Sequence, residues 1–155
     1  MRNRAIIATE LTASGIGELY FYDHDTVKLS NLSRQTLYEE NDIGASKSIA
    51  AKKHLERLNG DVKIYSQNIR INGSEDLIPI MQSCDLFVNG IDFSGDIIFD
   101  VNDSAIVTDT PWMDASYEGP RYAVTIFVPS MTSFLGAFSI RLKPKRSYWE
   151  WKKST

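Results

Sequence analysis

The sequence predicts an α/β fold, with a sheet that is parallel in its first part and antiparallel near the C-terminus. Three observations predict it. Helix-like and strand-like segments alternate along the chain. Gly15, Asp23 and Gly60 stand where such segments end. Two or three strand-like segments follow one another closely toward the end. With 155 residues, 43% hydrophobic and 24% charged, the chain fits one globular domain with a real core.

The elements follow in order. Residues 4–14 read as a helix closed by Gly15, and 18–22 (ELYFY) as a strand ended by Asp23. Residues 26–38 read as polar and irregular. Residues 45–59 give the clearest helix: Ser48, Ala51, Leu55 and Leu58 share one face, and Gly60 follows. A strand is expected at 62–66, a short helix with Pro79 at 74–83, a strand at 85–89 and a helix at 94–105. Strands near 111–115, 121–128 and 136–142 finish the chain.

Composition excludes several classes. No apolar run approaches the ~18 residues of a membrane-spanning helix. The first residues, MRNRAII, do not read as a secretory signal, so a cytoplasmic location is expected. The single Cys84 forms no internal disulfide, makes a thiolate zinc site unexpected, and reads as a small buried residue. Net charge is −3, but residues 141–155 carry +5, leaving −8 on the rest. An acidic body argues against DNA as partner. The basic tail, with Tyr148, Trp149 and Trp151, reads as a solvated terminus. The expected division is therefore a domain over 1–140 and a tail over 141–155.

Two sequence features imitate a nicotinamide dehydrogenase. Thr12-Ala-Ser-Gly15-Ile16-Gly17 looks like a phosphate-binding glycine turn. Such a turn must follow a strand and open a helix, so that helix N–H groups face the pyrophosphate. Here the glycines follow a helix and open a strand. Tyr148 and Lys152 have the spacing of a catalytic pair but leave no room for a substrate domain.

The informative segment runs from Asp23 to Gln35 (DHDTVKLSNLSRQ), followed by Asp42-Ile-Gly44-Ala-Ser-Lys47. An acid at the end of an early strand is where a doubly wound sheet reads a ribose hydroxyl. Asn31, Arg34 and Lys47 add an amide and two cations, a set suited to a triphosphate. Asp92 follows the apolar run of residues 86–90, where open α/β sheets place their ligand crevice. One carboxylate plus phosphate oxygens suits Mg²⁺. His54, beside Lys52 and Lys53, reads as a surface side chain.

These residues resemble the ThiF/MoeB/HesA superfamily, which includes ubiquitin-activating enzymes and the MccB-type microcin adenylating enzymes. The carrying motif is DxDxVxxSNLxRQ, present as Asp23 through Gln35. The SGIGELYFYD entry, the DIGxSK segment and the VNGID segment stand in family order, and the likeness covers residues 4–133. It implies a Rossmann-like, doubly wound, mainly parallel sheet. It implies an ATP-dependent adenylyltransferase that activates a carboxylate, the C-terminus of a ubiquitin-like protein or peptide, as acyl-adenylate. Asp23 would bind the ribose. Asn31, Arg34 and Lys47 would hold phosphates, with Arg34 and Lys47 also neutralising charge during the reaction. Asp92 would hold Mg²⁺. Family members are usually dimers.

The chain also departs from the family pattern. The first strand and most of the glycine turn are expected to be missing, with Met1–Arg4 in the turn's register. Phe134 and Ala137 stand where the family has a zinc-binding CxxC pair, so no zinc is expected. The later half of the family domain is expected to be missing as well. The buried edges left by the missing strand predict marginal stability or completion by another chain. A non-catalytic remnant or partner subunit is therefore the alternative to an active enzyme.

Overall fold

The structure is a computed structural model, and it describes residues 3–91, 97–118 and 121–131. The chain divides into two compact units, Met1–Ile71 and Asn72–Thr155.

The first unit is built around one parallel strand pair. Helix α1 (Asn3–Ala13) leads into β1 (Glu18–Tyr22). A one-turn helix α2 (Leu29–Leu32) and a 3-10 turn (Glu40–Asp42) precede helix α3 (Lys47–Leu58), which crosses over to β2 (Lys63–Gln67). β1 and β2 pair in parallel, with Leu19 opposite Ile64 and Phe21 opposite Ser66. α3 packs on both strands, as a βαβ crossover requires, and α1 packs on α3. Small side chains let the two helices approach: Ala5 and Ala8 of α1, Ala50 and Ala51 of α3, all buried. Leu55, Val62 and Ile64 complete this core, with Leu19 and Phe21 against it. On the opposite sheet face Tyr20 stacks on Tyr65, with ring centroids 4.7 Å apart, and Lys63 bonds Glu18 at 3.2 Å.

Gly15 ends α1, as its place in the sequence predicts. Its φ of +77° is the left-handed conformation that favours glycine. Its N–H donates to the Thr12 carbonyl at 3.1 Å and the Ile16 N–H to Leu11 at 3.5 Å, a Schellman ending. The Asn59 amide also donates to the Thr12 carbonyl, at 3.0 Å. The hydroxyl of Thr12 itself is fully buried with no partner among the described residues.

The second unit contains α4 (Ser74–Met81), β3 (Phe87–Asn89), α5 (Ile97–Thr108), β4 (Trp112–Glu118) and β5 (Arg121–Phe127). β3 pairs with β4 in parallel, and β4 with β5 antiparallel. α4 packs on α5, and Leu77, Met81, Val101, Ala105 and Trp112 are buried. Trp112 stacks on Phe127 at 4.4 Å. The Thr110 hydroxyl donates to the Met81 carbonyl at 2.9 Å and so caps the end of α4.

Several expectations need correction. The stretch 26–38 is not wholly irregular: the Asn31 side chain accepts the Lys28 N–H at 3.0 Å and stabilises α2. Leu58 is 49% exposed, because α3 ends there and its apolar face ends with it. The helix expected at 94–105 continues to Thr108, its end set by the Thr110 N–H on the Ala105 carbonyl, while its expected first residues, 94–96, lie outside the described residues. Cys84 is half-buried rather than buried, and burial pushes its thiol pKa up. The strand expected at 136–142, the boundary at 140, Phe134, Ala137 and the tail over 141–155 lie outside the described residues.

Candidate functional site

Asp23 leaves the end of β1, and its N–H extends the ladder to the Gln67 carbonyl at 3.3 Å. Its Oδ1 accepts the Asp25 N–H at 2.9 Å, which turns the chain sharply. Asp25 then makes two bonds to the start of α3. Its carbonyl takes the Lys47 N–H at 2.9 Å, and its carboxylate takes the Lys47 ammonium at 2.8 Å. Lys47 is only 6% exposed, so sequence position alone gave no hint of its burial. The Lys47 hydrogen bond holds the Asp25 carboxyl below its ordinary pKa, against the opposing effect of burial.

The segment before α3 is laced to this turn. Gly44 donates to the Val27 carbonyl and Val27 to the Ala45 carbonyl, both at 2.9 Å, and Thr26 bridges Ser46. Gly44 has φ +88°, a conformation that a side chain would strain. Val27, nearly inaccessible, anchors the loop in the core.

Asn31 is buried in α2, and its carbonyl accepts the N–H groups of both Arg34 and Gln35. The Arg34 guanidinium donates to the Ser30 carbonyl. Asp23, Asn31, Arg34 and Lys47 thus all belong to the first unit. Asp92 lies outside the described residues.

Sequence reasoning missed three participants. Asp25 was part of the motif but had no role; its partnership with Lys47 needs a contact 22 residues apart. His54 is no surface side chain: it is 10% exposed and its Nε2 lies 2.6 Å from Asp42 Oδ2. Its position seven residues after Lys47, two turns along the same helix face, was the available signal. Asp42 is buried as well.

Asp23, His24 and Asp25 bring potential metal-ligand atoms within 4.8 Å of one another. The Lys47 ammonium already neutralises Asp25, so this trio does not suit a divalent cation. No helix among the described residues is long and apolar enough to cross a membrane.

Comparison with known proteins matches residues 5–150 to the ThiF family. The adenylyltransferase and sulfurtransferase MOCS3 of Xenopus laevis is 37% identical over 71% of this chain and 24% of its own length. The sulfur carrier protein adenylyltransferase of Thermus thermophilus is 31% identical over 87% of this chain and 49% of its own. The structure of E. coli MccB with AMPCPP and MccA superposes with a TM-score of 0.78 and 27% identity, over 86% of this chain and 40% of that one. The chain thus spans between about a quarter and a half of these relatives. With its Rossmann-like α/β architecture and a family match over almost its whole length, the chain belongs to the ThiF family.

Proposed function

We propose that this chain forms the nucleotide-binding part of an ATP-dependent adenylyltransferase. Its substrate is a carboxylate, the C-terminus of a ubiquitin-like protein or a peptide. The observation that carries this reading is the buried Lys47 ammonium on Asp25, at the start of α3 and behind the Asp23–Gln35 string. Relatives named as adenylyltransferases, and MccB structures with ATP and with MccA, support it.

In this reading Asp23 receives the ribose. Asn31, Arg34 and Lys47 hold the phosphates, and Asp92 holds Mg²⁺. A substrate carboxylate oxygen attacks the α-phosphorus, the bond to pyrophosphate breaks, and an acyl-adenylate forms. Arg34 and Lys47 balance the charge that grows on the phosphoryl oxygens. Asp25 keeps Lys47 in place until the nucleotide arrives. No side-chain nucleophile is needed for this step.

β1 pairs only with β2, and β3 only with β4, among the described residues. Each has an edge that no described strand covers. This supports a homodimer or completion by another chain, working in the cytoplasm where ATP is supplied. Light scattering tests the assembly.

The test of function is calorimetric titration of the chain with ATP and Mg²⁺, beside Arg34→Ala and Asp92→Ala. Micromolar binding lost in both variants supports the reading, and pyrophosphate exchange with candidate peptides then tests turnover. A folded chain that binds no ATP, alone or with its partner, overturns it in favour of a non-catalytic subunit.

A further inference from the structure

A second polar cluster stands on α3 beyond the Lys47–Asp25 pair. Asp42 Oδ2 accepts the Glu39 N–H at 2.8 Å and faces His54 Nε2 at 2.6 Å. The Lys53 ammonium lies 3.9 Å from Oδ1, and the Glu39 carboxylate lies 3.8 Å from His54 Nδ1. Burial pushes the Asp42 pKa up, but the Glu39 N–H, His54 and Lys53 together hold it below its ordinary value. The carboxylate is therefore ionised and can only accept, so Nε2 of His54 is the donor.

Hydrogen bonds hold the chain at several points between Asp42 and Lys47. The Asp42 carbonyl accepts the Ala45 N–H at 2.9 Å. Gly44 and Ala45 are bonded to Val27, and Lys47 to Asp25. α3 is thus fastened to the preceding loop twice, by Lys47 on Asp25 and, two turns on, by His54 on Asp42.

We infer that His54 is a positioning residue: by holding Asp42 it fixes the turn over residues 42–46 and so sets the Lys47 ammonium for an incoming phosphate. The phosphate part of this inference rests on the nucleotide-binding reading of Lys47. The conformational part does not.

The experiment compares the 155-residue chain with His54→Ala and His54→Gln, at a temperature where circular dichroism shows all three folded. Glutamine keeps an N–H donor of similar reach and does not titrate. Amide hydrogen exchange at Gly44, Ala45 and Lys47 is measured without nucleotide. The dissociation constant for ATP with Mg²⁺ is measured alone and in a Lys47→Met background. In His54→Ala the three amides exchange roughly tenfold faster, and His54→Gln restores protection. The ATP dissociation constant rises about five- to tenfold in His54→Ala, and His54→Ala adds nothing once Lys47 is Met.

Unchanged amide exchange overturns the inference whatever ATP does. An affinity loss that persists in full in the Lys47→Met background also overturns it, because the effect then does not run through Lys47. Faster exchange rescued by Gln, in a chain that binds no ATP, supports the conformational role of His54 and overturns only the nucleotide reading.

Discussion

The two units bury different kinds of polar group. In the first, the buried polar residues include an acidic and a basic side chain, Asp42 and Lys47, held by His54 and Asp25 respectively. In the second, those among the described residues are neutral: Asn89, Asn102, Ser104 and Thr110. Neutral groups in the second unit tie its elements together, as Asn89 does to Asp114 at 3.1 Å and Thr110 to Met81. Buried charge is costly unless it is paired, and it adds little net stability compared with apolar packing. Among the described residues such buried charge is found in the first unit, which also holds Asp23, Asn31 and Arg34.

The largest expected effect tests the apolar side of this contrast. Trp112 is about 1% exposed and stacked on Phe127, so Trp112→Ala costs about 3–5 kcal/mol of stability. Chemical denaturation read by circular dichroism measures it. A loss below about 1 kcal/mol would mean that Trp112 does not organise the second unit. Next, Lys47→Met removes the cation from Asp25 and is expected to weaken ATP binding by about 2–4 kcal/mol of interaction. Calorimetry measures that loss, and equal affinity would remove the contrast altogether. On the exposed sheet face, Tyr65→Ala separates the stacked tyrosines and is expected to cost only about 0.5–1.5 kcal/mol.

Acid sharpens the contrast with the smallest effect. Asp25 and Asp42 both have pKa values lowered by folding. Their contribution to stability is complete above the ordinary carboxylate value of about 3.9 and is lost as pH falls through their lowered folded values. Denaturation midpoints measured from pH 6 down to about pH 2 should therefore fall, and Asp42→Asn should flatten part of that fall. An unchanged acid slope in Asp42→Asn would show that the pair with His54 contributes nothing to it.

Much of the fold was legible because its signals are local. Periodicity gave α3, alternation gave β1, and Gly15 gave the end of α1. The one-turn helix α2 escaped because four residues show no period; the Asn31 side chain, accepting the Lys28 backbone N–H, makes it. The motif string and the DIGxSK segment named Asp23, Asn31, Arg34 and Lys47, and the structure sets all four in one unit. What the string could not carry was the burial of Lys47 and the pairing of His54 with Asp42. Both depend on a turn that folds the chain back on itself, and no window of consecutive residues contains that geometry. His54 directly after Lys52 and Lys53 resembles a solvated face until its partner twelve residues upstream is known.

The buried hydroxyl of Thr12 has a consequence for how this chain can change. It gave up water on folding and found no partner among the described residues. Valine has nearly the same shape without the hydroxyl, so Thr12→Val is expected to stabilise the first unit. The chain thus carries a spare margin of robustness, one substitution away and far from the loop that holds Lys47. Variants that sharpen the nucleotide site at the expense of folding could draw on that margin, and the two kinds of change could be selected one after the other.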